Sequence, residues 1–152
     1  MNEMLANHYY LTKNHQYAVA LFQEVIVNEP KNYEAKKKLM VCLLKEGIFY
    51  LAWDLYNEII ENKPQVILET NYKTQDCLCL DVLRDIRKCT NIHSMNWIHS
   101  VELGILYSFK DKKKSLFYFK QALERSPFKN RIENLILQIE LYAQKKLQSP
   151  SI

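Results

Sequence analysis

A step of 34 residues runs through the first half of the chain, carrying Pro30 onto Pro64, Leu5 onto Leu39, Tyr9 onto Leu43, Ala18 onto Ala52, Phe22 onto Tyr56 and Val25 onto Ile59. A period of that size is the length of one supersecondary unit. Such a unit cannot hide an apolar face by itself, so a chain that repeats it must stack its copies.

The second copy shows what the unit is. Tyr33 to Glu46 places apolar side chains at Leu39, Met40, Val41, Cys42, Leu43 and Leu44, more than one helical face holds, which predicts a helix covered on two sides. Gly47 can take the positive φ of a helix C-cap. Helical spacing resumes over Ile48 to Asn62 through Leu51, Ala52, Leu55, Tyr56, Ile59 and Ile60, until Pro64 stops it. Each copy therefore reads as two helices joined by a tight turn. With only 2 glycines and 4 prolines in 152 residues, the turn chemistry of an all-β fold is lacking, and no Pro/Gly/Ser-rich stretch divides the chain in two. The expectation is one all-α domain.

The pattern resembles the tetratricopeptide repeat, a family of 34-residue helix-turn-helix units. The second copy carries Leu39-Met40, Leu43, Gly47, Ala52, Tyr56, Ile59 and Pro64, and the first carries Leu5-Ala6, Tyr9, Ala18, Phe22, Val25 and Pro30. A further copy near the C-terminus has Leu103-Gly104, Tyr107, Ser115, Phe119, Ala122 and Pro127, with its turn shorter by one residue. Small residues at these offsets let helices approach where they cross, and Ala6 with Ala18 is the expected close pair of the first hairpin. Met40, Asn2 and Lys36 depart from the family pattern. The resemblance implies a right-handed solenoid of antiparallel helix hairpins, about 7–8 helices in all.

Domain organisation follows from the prolines: repeats at about 1–32, 33–66, a degenerate one at 65–91, another at 92–127, a capping helix at 128–147 and a tail at 149–152. Pro64 and Pro127 are 63 residues apart, five short of two periods, so the degenerate copy is trimmed. Gln65 to Tyr72 is read as its reduced first helix and Gln75 to Cys89 as its second. Thr74 serves as N-cap, Asp76 sits near the positive end, and Leu78, Val82, Leu83 and Ile86 turn inward. Asn91 or Ser94 is expected to cap the next helix. The last helix shows Ile132, Leu135, Ile136, Ile139, Tyr142 and Ala143 on one face, with Leu137 and Leu141 pointing elsewhere.

No catalytic, metal or cofactor constellation stands out. Cys77 and Cys79 have one residue between them where zinc sites use two to four, and on a helix such neighbours diverge, so they and Cys89 read as small buried hydrophobes. His8, His15, His93 and His99 lack carboxylates at helical spacing, and no phosphate loop or nucleophile elbow is present. A non-enzymatic protein without cofactors is expected, and no run reaches the roughly 20 apolar residues of a membrane span. The four cysteines form no secreted framework, and residues 1–15 lack a basic start followed by an apolar run, so the reading is cytoplasmic.

In the resembling family the first helices of the hairpins line a concave groove that takes peptides. The residues placed there are Asn7, Tyr10 and Leu11; Lys37, Lys38, Val41 and Lys45; and Val101, Ile105 and Phe109. Lysines beside apolar side chains suit a peptide of acidic and apolar character. The carboxylate clamp of co-chaperone members is not supported, since Glu3 stands where a basic residue belongs and Lys38 where an asparagine does. The expected role is an adaptor, scaffold or chaperone-like module with a protein or peptide partner and no small-molecule substrate. Two alternatives remain: a nucleic-acid-associated repeat using Lys36–Lys38, Lys112–Lys114 and Lys145–Lys146, which the net charge of +4 with 17 interleaved acids disfavours, and a homodimer through the C-terminal helix.

Overall fold

The computed structural model describes residues 2–71, 78–87 and 96–148, and every regular element among them is a helix. In chain order these are α1 (Asn2–Leu11), α2 (His15–Asn28), α3 (Tyr33–Lys45), α4 (Phe49–Asn62) and α5 (Gln65–Leu68), then α6 (Cys79–Arg87), α7 (Trp97–Tyr107), α8 (Lys112–Leu123) and α9 (Lys129–Gln148). The described residues thus already exceed the 7–8 helices expected. Gln65–Leu68, a single turn that Pro64 starts, is shorter than the Gln65 to Tyr72 expected of the reduced first helix.

Local chemistry sets the boundaries. Asn32 accepts from the Ala35 N–H at 3.0 Å, Asn96 from Ile98 at 3.0 Å and Asp111 from Lys114 at 3.2 Å, each satisfying an orphan donor of a first turn. Asn96 therefore caps α7, where Asn91 or Ser94 was expected; those two, like Thr74 and Asp76, lie outside the described residues. Gly47 has φ 78°, as its place between α3 and α4 requires.

Successive helices α1 to α4 pack side by side, α7 pairs most extensively with α8, and α9 lies along α8. Ala6 and Ala18 are both fully buried where α1 meets α2. At the α7–α8 crossing a Cβ on Gly104 would stand 2.7 Å from Cε1 of Phe119, so only glycine permits that approach. Ser115 of α8 donates to the Gly104 carbonyl at 2.6 Å and fastens the same crossing.

The two halves meet around α4. Trp53 is fully buried beside Trp97 (centroids 5.8 Å) and Phe128 (6.0 Å), and Tyr56 lies 6.0 Å from Phe119. Arg131 of α9 lays its guanidinium 4.0 Å from the centre of the Trp53 ring and pairs with Asp54. That planar cation both packs and pairs, a combination that a lysine reproduces poorly. The Tyr56 hydroxyl neighbours Ser108 and Ser115, which donate to main-chain carbonyls, and makes no hydrogen bond of ordinary geometry itself. Burial raises this phenol's pKa, so it stays neutral.

In α9, Ile132, Leu135, Ile136 and Ile139 are buried, Tyr142 and Ala143 half-buried, and Leu137 and Leu141 exposed, as the periodicity predicts. Lys36, a departure from the repeat pattern, is also buried. It pairs with Glu58 of α4 and stands 4.9 Å from the Tyr33 ring centre, so its charge is compensated where a large apolar residue was expected.

Candidate functional site

The first helices of the hairpins, to which the repeat pattern assigns a groove, have α6 against them. This helix packs on α3 and α7, and the Leu78 N–H just ahead of it donates to the Tyr10 hydroxyl at 3.2 Å. Leu78, Cys79, Val82 and Leu83 are buried and Ile86 half-buried. On the opposite stripe, Asp81 pairs with Lys13 at 3.4 Å, and Asp85 pairs with Lys45. The segment is a short amphipathic helix whose apolar side is buried and whose two carboxylates are met by two lysines.

This placement sorts the ten groove candidates. Tyr10, Val41, Val101, Ile105 and Phe109 are all buried, so in this structure they serve as core and offer no surface to a partner. Apolar side chains on a face that α6 and the neighbouring helices cover have nowhere else to go. Asn7, Lys37 and Lys38 are half-buried, and Leu11 and Lys45 are exposed. Lys38 donates to the Asn7 side-chain oxygen at 2.8 Å, 5.8 Å from the Tyr10 ring centre; Lys37 pairs with Glu34 at 3.0 Å and donates to the Val66 carbonyl at 3.3 Å. Asn7, Lys38 and Tyr10 are thus brought together, while the α7 residues are not part of any open surface. Glu3 accepts from the Asn32 side chain at 3.1 Å, an intramolecular role for the carboxylate that spoils the clamp pattern.

Beside α6 lies a cavity of about 170 Å³ lined by Lys13, His15, Lys45, Asp81, Val82 and Asp85 among others. Its His15 is buried, with Nδ1 lacking a partner, and burial is the main force lowering its pKa, so the ring is neutral at physiological pH. On α7, burial pushes the Glu102 carboxyl up to about 7, and the nearest charge partner is His99, with Nδ1 3.9 Å away. Among the described residues no group of three or more His, Cys, Asp or Glu side chains could hold a metal ion, and no helix is long and apolar enough to cross a membrane.

The cysteines divide. Cys42 is free and buried, its thiol pushed up to about 12 chiefly by that burial. Cys79 is buried but disulfide-bonded, which corrects its reading as an inert small hydrophobe and sits poorly with a reducing compartment. Cys77 and Cys89 lie outside the described residues.

Sequence reasoning missed α6 as the occupant of this face. The signal was present in the spacing, with Leu78, Val82 and Leu83 on one stripe and Asp81 and Asp85 four apart on another, but its target was distant in sequence. Compared with protein families, with curated proteins and with solved structures, the chain shows no match.

Proposed function

We propose that this is a non-catalytic protein-interaction module built of tetratricopeptide-like hairpins in a solenoid, acting as an adaptor, scaffold or chaperone-like protein. The observation that supports this reading is α6 itself. The face made by α1, α3 and α7 holds a short amphipathic helix by burying Leu78, Val82 and Leu83 and by meeting Asp81 and Asp85 with Lys13 and Lys45. A partner segment of the same acidic and apolar character fits the part of that face beside α6, around Leu11, Lys38 and Lys45. Helix-in-groove recognition uses these two components, apolar anchors for affinity and charges for register.

The test is capture of partners from the native lysate with the wild-type chain and with Lys38→Glu plus Lys45→Glu. The reading expects a prey that the double variant loses while keeping its fold by circular dichroism. An identical set of preys from both proteins contradicts it.

A second reading, self-association through α9, is favoured by Leu137 and Leu141, which are 53% and 45% exposed at i and i+4 on one face. The nucleic-acid reading loses part of its first lysine run, because Lys36 is buried against Glu58 and Lys37 is held by Glu34 and the Val66 carbonyl. No catalytic role, cofactor or compartment is assigned.

A further inference from the structure

A positive surface is assembled at one end of the α8–α9 hairpin from residues far apart in sequence. α8 begins Lys112-Lys113-Lys114 with no acidic residue in its first turn, and α9 carries Lys145 and Lys146 in its last. The antiparallel pairing of these helices brings the two runs to the same end. Glu69, just past α5, marks where they converge: it accepts from Lys146 Nζ at 2.6 Å and from the Tyr142 hydroxyl, and Lys112 acts on the same carboxylate.

Three lysines in the first turn of α8 oppose the helix dipole, whose positive end lies there. Asp111, the N-cap, accepts from the Lys114 N–H and sets a single negative charge against the three. Lys110, Lys113 and Lys145 are exposed and have no acidic partner among the described residues, and Lys114 has only the Tyr107 ring, 5.3 Å from its centre. A local choice that works against the stability of its own helix points to a use elsewhere.

We infer that this lysine tip is a docking surface for an acidic segment of a partner protein, whose carboxylates would be held by Lys110, Lys113, Lys114 and Lys145 as Glu69 is held by Lys146. One observation favours a protein segment over a nucleic acid: the tip already holds a carboxylate, that of Glu69, between the Lys146 ammonium and the Tyr142 hydroxyl. Phe117, 58% exposed one turn beyond Lys113, supplies an apolar contact beside the charges. This surface involves neither α1 nor α3, so it stands or falls independently of the groove.

The test uses the full chain, with fluorescence anisotropy of a labelled twelve-residue peptide of glutamates carrying two leucines, and of an oligothymidylate of equal charge, at low and physiological salt. The tip variant is Lys113→Glu with Lys145→Glu; the control, Lys31→Glu with Lys129→Glu, changes net charge equally at exposed positions elsewhere. The tip variant should bind the peptide at least tenfold more weakly, and the control within twofold of wild type. Lys113→Glu alone should raise the melting temperature, since it replaces a cation with an anion at the positive end of α8. Equal losses in both double variants, tighter binding of the oligonucleotide than of the peptide, no peptide binding at low salt, or a fall in melting temperature for Lys113→Glu would each overturn the inference.

Discussion

Gly104→Ala probes the α7–α8 crossing, where a glycine lies against a buried aromatic ring. The added Cβ would stand 2.7, 2.8 and 3.0 Å from three ring carbons of Phe119, all inside van der Waals contact. Phe119 cannot retreat easily, because it is fully buried and its far side faces Tyr56, itself fully buried, at 6.0 Å. Forcing one extra carbon into such a site costs about 1–3 kcal/mol. Against this, replacing glycine by alanine inside a helix gains about 0.5–1 kcal/mol. The net expectation is a loss of about 1–2 kcal/mol, read as a lower urea midpoint, or as a fall of roughly 2–8 °C in melting temperature at this chain length. In a Phe119→Leu background the same substitution should cost less, a coupling of about 1 kcal/mol in a double-mutant cycle. If Gly104→Ala is as stable as wild type or more so, helix propensity has won and the crossing is looser than described.

Arg131→Ala should destabilise by about 1–2 kcal/mol through loss of the Trp53 stack and the Asp54 pair, and Arg131→Lys should recover less than half of it in the same denaturation assay. Glu102 is raised by burial from 4.5 to about 7, so the folded chain binds more protons than the unfolded one between those values and stability falls as pH rises through that window. The loss is on the order of 3 kcal/mol at most, and Glu102→Gln should flatten the pH profile there and be the more stable protein at pH 8. If the self-association reading is right, light scattering will show a dimer that Leu137→Glu with Leu141→Glu converts to a monomer; a wild-type monomer removes that reading.

What could be read from the sequence was local. Ala6 and Ala18, Gly47, the Leu103-Gly104 pair and the stripe from Ile132 to Ile139 each announce a packing or turn role within one or two helices, and each is found in it. Longer-range placement was not legible. Nothing in the spacing of Leu78, Asp81, Val82 and Asp85 says that their counterparts are Tyr10, Lys13 and Lys45, which lie on α1, in the turn after it and on α3. Tyr10, Val41, Val101, Ile105 and Phe109 are buried for the same reason: an apolar residue on a nominally open face becomes core once another element covers it. Lys36 shows the converse, a charged residue that the pattern could not seat and that Glu58 and Tyr33 make tolerable in the interior. The lysine tip was visible only as two separate runs, offered as parts of a nucleic-acid alternative, until the α8–α9 pairing brought Lys112 and Lys146 to Glu69.

The central claim is that a partner meets this chain on the face of α1 and α3 beside α6, and site-specific photo-cross-linking tests it most directly. A diazirine analogue placed at Leu11, exposed at the end of α1, is compared with one at Val27, more exposed but on α2. Irradiation in the native lysate should join a discrete protein to position 11 and leave position 27 without adducts, with the adduct lost in Lys38→Glu plus Lys45→Glu. Equal labelling at both positions, or none at position 11, would contradict the claim.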